Sequence, residues 1–261
     1  MTQRLRIQLG GQAHAAGSIR FETFDVDLPT GATLLDALEY IRTGVAPDLM
    51  YRHSCHHGSC GTCAVRVDGK EMLACLMPLE SFGGSVPTIE PLRALKLEKD
   101  LAVNSGALFR SLPKGTARLR ASEWAGGEVA PSSQAAAGDP EAASPATDTS
   151  RARKLPEGTT GFVRFEDCVE CGSCVSACPV SARSWNAAKG EFGGFAGPAA
   201  LASVRRESLN NPARAEEMLT LAARPDGVAA CEKHFDCSRV CPRMVYPGKH
   251  IEMLRRELAR K

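Results

Sequence analysis

Residues 54–75 read SCHHGSCGTCAVRVDGKEMLAC, and this stretch decides the first half of the fold. Cys55, Cys60 and Cys63 stand at C-x4-C-x2-C, and Cys75 follows after eleven intervening residues. That is the plant-type spacing for a [2Fe–2S] cluster, held by four thiolates. Gly58 and Gly61 let the backbone wrap closely and aim N–H groups at the sulfurs. Cys75 is expected on a separate strand that closes the cage.

The elements around this loop read as a mixed α+β pattern. Asp68-Gly69 is a tight-turn signal between Val65/Val67 and a return strand carrying Leu73 and Cys75. Upstream, Leu5, Ile7 and Leu9 alternate with Arg4, Arg6 and Gln8, then Phe24, Val26 and Leu28 with Asp25 and Asp27, which predicts a hairpin. Leu34, Leu35, Leu38 and Ile41 recur at helical spacing up to Gly44. Val86 to Glu90 reads as a last short strand, and 99–112 as a connecting helix.

Other uses of this loop fit less well. Zinc sites usually pair two C-x2-C knuckles, and only Cys60/Cys63 has that spacing. A Rieske centre would put histidine where Cys63 stands. His53, His56 and His57 read as polar loop residues, or as donors that tune the cluster's potential.

Cys168, Cys171, Cys174 and Cys178, followed by Pro179, form C-x2-C-x2-C-x3-C-P. In this bacterial ferredoxin run the fourth cysteine ligates a different cluster. The remaining ligands are expected at Cys231, Cys237 and Cys241 before Pro242. On the same template His234 stands where a fourth cysteine would be. Cross-ligation then assigns Cys168, Cys171, Cys174 and Cys241 to a [4Fe–4S] cluster. It leaves Cys178, Cys231 and Cys237 for a [3Fe–4S] cluster, which accounts for all 11 cysteines. His234 is either a ligand to a fourth iron or a non-ligating residue beside a vacant corner.

The rest of the chain narrows the class. Of 261 residues, 43% are hydrophobic and 24% charged, as in ordinary globular chains. Lys+Arg number 32 and Asp+Glu 30, a net charge of +2, so no bulk electrostatics favour nucleic acid. No apolar run reaches the roughly 18 residues of a membrane span. The opening MTQRLRIQLG has no apolar leader core, so neither export nor self-anchoring is expected. A disulfide framework is therefore not expected either.

From about Ser122 to Gly158 the chain is Ala/Ser/Pro/Gly/Glu-rich, which reads as a solvated spacer. The expected organisation is 1–112, a [2Fe–2S] domain with its connecting helix; 113–160, a linker; and 161–261, a helical two-cluster domain. In the last, Pro198 and Pro212 suit first helical turns, with Asn210 and Asn211 as possible caps. Ile251, Leu254 and Leu258 make a final amphipathic helix, whose Arg255, Arg256, Arg260 and Lys261 read as a solvated face.

Iron–sulfur clusters move single electrons, and no nucleotide loop or nucleophile elbow is visible. No catalytic residue is assigned, and the two-electron step is expected on another subunit, most simply at a flavin. SCHHGSCGTCAVRVDGKEMLAC, DCVECGSCVSACP and CEKHFDCSRVCP together resemble the iron–sulfur subunits of succinate dehydrogenases and fumarate reductases. The resemblance covers about residues 1–112 and 160–258. It implies a β-grasp [2Fe–2S] ferredoxin domain and an all-α ferredoxin-like domain. It implies a flavoprotein partner with covalent FAD that interconverts succinate and fumarate. It also implies a membrane anchor with quinone or haem b, holding this chain peripherally on the cytoplasmic face of a prokaryotic inner membrane. CVECGSCVSACP followed by FGGFAGPAAL is more similar to the dihaem, menaquinone-linked branch. One departure stands out. Where ubiquinone-reducing members place a tryptophan and a histidine for the quinone, this chain has Arg183 and Glu232. The acceptor is then an anchor haem, a quinone bound differently, or a soluble protein. Competing readings are the iron–sulfur subunit of another flavin-dependent oxidoreductase with a soluble acceptor, and a zinc-binding interaction module.

Overall fold

The computed structural model describes residues 2–11, 19–114, 116 and 168–260. The spacer read at 122–158 lies outside the described residues. The described parts of both halves belong to one compact unit.

The N-terminal half is a five-stranded mixed sheet crossed by one helix. Its strands are β1 (Thr2–Leu9), β2 (Arg20–Asp27), β3 (Ala64–Val67), β4 (Lys70–Leu73) and β5 (Thr88–Glu90), in the order β2-β1-β5-β3-β4. β1 and β2 pair antiparallel, Thr2 opposite Asp27, and β1 runs parallel to β5 with Ile7 opposite Ile89. Helix α1 (Leu34–Gly44) starts at a reciprocal cap: Thr33 Oγ1 accepts from the Asp36 amide, and Asp36 Oδ2 accepts from the Thr33 amide. It buries Leu34, Leu35, Leu38 and Ile41 against Leu5, Ile7, Val26 and Ile89. Each fully buried side chain of this size contributes about 1.5–3 kcal/mol. Asp68 and Gly69, both at positive φ, make the tight turn between β3 and β4 that holds the cysteine loop to the sheet.

Two expectations are corrected here. Cys75 is not on the return strand: β4 ends at Leu73, and Cys75 lies in the single turn Ala74–Leu76 that follows. The segment 99–112 is not one helix. It comprises the end of β6 (Lys96–Lys99), β7 (Ala102–Asn104) and the short helix α2 (Gly106–Ser111). Asp100 is the cause: its backbone takes the left-handed conformation (φ +51), and its carboxylate accepts from the Gly10 and Met50 amides. Those bonds reward a turn where the sequence pattern suggested a helix.

The C-terminal half comprises α3 (Ser173–Ser176), α4 (Pro179–Ser184), the minimal hairpin β8 (Trp185–Asn186) and β9 (Glu191–Phe192), α5 (Pro198–Asn210), α6 (Ala215–Ala223), α7 (Asp236–Arg239) and α8 (Pro247–Leu258). Leu201, Val204, Met218, Leu219, Ile251 and Leu254 form its core. Asn211 caps nothing with its side chain, which turns back to Glu207 instead. Arg255 does more than face water: Nη2 donates to the carbonyls of Val228 (2.6 Å) and Cys231 (3.1 Å). The two halves are joined by a buried relay. Ser176 on α3 accepts from the Arg93 amide and donates to Glu71 on β4 at 2.8 Å, and Glu71 pairs with Arg66.

Candidate metal centres

The first group is a backbone cradle. The Gly58 amide donates to Cys75 Sγ at 3.2 Å, and the Ser59 and Cys60 amides donate to Cys55 Sγ at 3.2 and 3.3 Å. Donors aimed at sulfur favour the thiolate, the form that binds metal. Gly58 takes φ +77, a left-handed conformation that strains any residue with a Cβ. Burial opposes the Cys60 thiolate, but the Thr62 hydroxyl at 3.1 Å, the Thr62 amide and Cys55 outweigh it and bring Cys60 down to about 7. Burial pushes the deeper Cys63 up to about 12. The Ala74 amide donates to the Cys63 carbonyl, tying the loop to the turn that bears Cys75. His53 and His56 contact one another at 3.2 Å, and His57 bonds the Cys55 carbonyl.

The second and third groups are mixed by the fold. Cys168, Cys171, Cys174 and Cys241 line one cavity, with Leu112, Val169 and Val245 among its apolar walls. Cys178, Cys231 and Cys237 line another together with His234. Burial, then crowding by neighbouring thiols, pushes Cys168 and Cys237 up to about 11 and Cys174 well above the ordinary thiol range. Burial also raises Cys171, against the Ser173 hydroxyl at 3.3 Å. The Val245 amide donates to Cys241 Sγ at 3.3 Å, and the Ser181 amide approaches Cys178 Sγ at 3.5 Å. Several thiolates packed together in apolar surroundings need a cationic partner, and iron supplies that charge.

The spacing of these groups is that of iron–sulfur ligands rather than of paired zinc knuckles. A zinc ion needs its ligands within about 2.0–2.3 Å of one point. Among the described residues no three His, Cys, Asp or Glu side chains are placed to hold one metal ion. The 11 cysteines are all free thiols.

The three groups also neighbour one another in order. An added Cβ at Gly61, inside the first loop, would lie 2.8 Å from Cys171 Cβ and 2.9 Å from the Val169 carbonyl oxygen. Cys174 of the second cavity is in turn close enough to Cys237 of the third to be shifted by it.

Two domain profiles match the chain. The 2Fe-2S iron–sulfur cluster binding domain covers residues 4–110, and the 4Fe-4S dicluster domain covers 164–245. The fumarate reductase iron–sulfur subunit of Haemophilus influenzae is 32% identical over 243 residues, spanning 91% of this chain and 86% of that protein. The chain belongs to the fumarate reductase and succinate dehydrogenase iron–sulfur subunit family. The mitochondrial succinate dehydrogenase [ubiquinone] iron–sulfur subunit 2 of Oryza sativa is 26% identical over 237 residues, spanning 90% of this chain and 68% of that one. The fold is that of a chain in the Mycobacterium smegmatis Sdh1 complex in the apo form, with a TM-score of 0.67 and 18% identity, covering 99% of this chain and 96% of that one. This iron–sulfur subunit is therefore the electron-transfer member of an oxidoreductase complex, with a [2Fe–2S] domain followed by a [4Fe–4S] domain.

Several features of the subunit were not singled out from the sequence: Thr62 and Ser173 beside sulfur, the Val245 amide, and the near-contact at Gly61. The signal for Gly61 was present, a glycine enclosed between two ligand-type cysteines. Arg183 and Glu232, noted separately as departures, form an ion pair. Glu232 also accepts from His234 Nε2 at 3.0 Å, and Arg183 first, then His234, hold its carboxyl below the usual range. Opposite charges at two departing positions were the available clue.

Proposed function

We propose that this subunit relays single electrons between a flavoprotein that interconverts succinate and fumarate on FAD and a membrane anchor carrying quinone or haem b. The carrying observation is the exchange of partners between the second and third cysteine groups. Cys241 joins Cys168, Cys171 and Cys174, while Cys178 joins Cys231 and Cys237. Such an exchange belongs to two-cluster ferredoxin domains. In this reading Cys55, Cys60, Cys63 and Cys75 hold [2Fe–2S], the four-thiol cavity holds [4Fe–4S], and the three-thiol cavity holds [3Fe–4S]. The clusters supply one-electron carriage. The chain's own residues set where it occurs: amides and Thr62 stabilise charge on the first set, and apolar walls keep water from the second. Close approach at Gly61, and the electrostatic influence of Cys237 on Cys174, support a relay in the order first, second, third.

Residues 1–112 and 161–261 form the two cluster domains in this reading, with 113–160 as the linker. Among the described residues no helix is long and apolar enough to cross a membrane. In this reading the subunit sits on the cytoplasmic face of the membrane, held by the anchor. The test is EPR and Mössbauer spectroscopy of the purified complex with Cys75→Ser beside wild type. Wild type shows one cluster of each kind. The variant loses the [2Fe–2S] signal and quinone-linked turnover, yet keeps succinate oxidation with artificial dyes at the flavin. Unchanged quinone-linked turnover overturns the relay order.

A further inference from the structure

A buried hydroxyl ties the two halves together. Ser176 lies on α3, two residues after Cys174 and two before Cys178, and it is 3% exposed. Both of its partners belong to the N-terminal half. The Arg93 amide donates to Ser176 Oγ at 2.8 Å, and Ser176 Oγ donates to Glu71 Oε1 at 2.8 Å. Glu71 stands on β4, four residues before Cys75, and faces Arg66 on β3, three residues after Cys63. Arg66 Nε lies 3.4 Å from Glu71 Oε1, and Arg66 Nη1 lies 3.2 Å from Glu90 Oε2 on β5. Arg66 and Glu71 are both buried. A buried carboxylate is tolerated only when it is paired and hydrogen-bonded. Arg66 supplies the opposite charge, and Ser176 supplies a hydrogen bond from the other half. The wall beside this tie is apolar: a Cβ on Gly172, which opens α3, would stand 3.4 Å from Leu95 and 3.5 Å from Leu92. Apolar contact holds two surfaces together without fixing their direction, whereas a hydrogen bond requires near-linear geometry.

We propose that Ser176 and Glu71 are a positioning pair: their bond sets the register of the second cysteine set against the first, and thereby the rate at which an electron passes between the two. The proposal rests on reading these sets as the [4Fe–4S] and [2Fe–2S] sites. In that step one electron leaves the reduced first centre and enters the oxidised second, and no bond forms or breaks. Each residue acts through the ligand-bearing element it holds. Ser176 holds α3, which carries Cys174, and Glu71 holds the β3–β4 hairpin, which runs between Cys63 and Cys75. A displacement at the tie is therefore passed to both sets. Positioning alters the geometry between the centres and leaves their potentials alone. Tuning would do the reverse, and a purely structural contact would change neither.

The experiment uses the intact complex in five forms: wild type, Ser176→Ala, Ser176→Thr, Glu71→Ala and the double variant Ser176→Ala with Glu71→Ala. Four quantities are measured on each: iron and sulfide content, the reduction potentials of the first and second centres, their magnetic coupling by EPR when both are reduced, and the pre-steady-state rate of reduction of the second. Ser176→Ala keeps its cluster content and both potentials, but its coupling changes and the transfer slows several-fold. Ser176→Thr, which keeps the hydroxyl, stays at wild type. Glu71→Ala moves both readouts the same way, and the double variant moves them no further than the larger single effect. Glu71→Ala also strips Arg66 of a partner, so where it fails to assemble the two Ser176 forms decide. Wild-type coupling and rate in Ser176→Ala, even with a lower unfolding temperature, would reduce the pair to a structural contact and overturn the proposal. A change confined to the potentials, or a Ser176→Thr no better than Ser176→Ala, would overturn it as well. If wild type shows no [2Fe–2S] or [4Fe–4S] signal, the reading of the sets falls and the proposal with it.

Discussion

The first and second cysteine sets use the same ligand chemistry in different surroundings. The first is divided: on its loop, backbone amides and the Thr62 hydroxyl point at sulfur and Cys60 is drawn down to about 7, while the buried Cys63 is pushed up to about 12. The second is lined by apolar side chains, and Cys168, Cys171 and Cys174 are driven up by burial and then by neighbouring thiols. The loop part of the first site is organised for negative sulfur before any metal arrives. The second site is unfavourable for thiolates until iron neutralises them. The difference follows from the sequence: two glycines in seven residues let the first loop's amides turn onto sulfur, while the second set is gathered among apolar residues such as Leu112, Val169 and Val245.

The comparison breaks most severely at the seam between the two sites. Gly61→Ala places a methyl group 2.8 Å from Cys171 Cβ and 2.9 Å from the Val169 carbonyl, at a residue with φ +70. The left-handed conformation alone costs about 1–2 kcal/mol, and the collision with backbone adds to it. Both clusters are expected to assemble, with their magnetic coupling weakened and transfer between them slowed. Pulsed EPR distances and pre-steady-state reduction of the second cluster measure this. Unchanged distance and rate would show that the seam has slack that the contact denies.

The next effect tests whether burial governs the helical half as it governs the second site. Burial, helped by the nearby charges of Lys249 and Arg205 and opposed by a hydrogen bond at the Val245 backbone, lowers His250 from 6.5 to about 4. The folded form therefore binds this proton more weakly than the unfolded chain. The sign follows: the neutral ring's contribution is intact above about pH 6.5 and is lost as pH falls towards 4. The loss is about 1 kcal/mol at pH 5.5 and about 3 kcal/mol below pH 4. His250→Gln should flatten this slope in chemical denaturation run from pH 7 to pH 5.5, while wild type keeps it. Equal slopes would mean that His250 titrates normally.

The same contrast explains what the sequence revealed. Cysteine spacing predicted that Cys241 groups with Cys168, Cys171 and Cys174, and these four line one cavity. The sheet, α1 and the buried faces of α5 and α8 were legible from periodicity. Cys75 was misplaced by a residue or two, since a single turn after a strand has no hydropathy signature. The 99–112 segment was misread because Asp100 bonds to amides at Gly10 and Met50, contacts distant in sequence. Arg255 read as solvated because nothing local shows that its guanidinium meets the carbonyls of Val228 and Cys231.

The smallest effect gives the sharpest measure of the contrast. Thr62→Val removes the hydroxyl 3.1 Å from Cys60 Sγ and keeps the shape of the side chain. A donor to sulfur stabilises the more negative, reduced cluster, so its loss lowers the potential. One such bond is worth about 1 kcal/mol, or about 40 mV for a single electron. Ser173→Ala removes the corresponding hydroxyl 3.3 Å from Cys171 Sγ. The Val245 and Ser173 amides remain as donors to the second set, but its apolar walls screen charge less, so the same deletion should lower that potential further than Thr62→Val lowers the first. Redox titrations followed by EPR resolve both in one preparation. A larger drop at the first cluster would reverse the assignment of which site depends more on each donor, and would place the weight of the second on its apolar walls alone.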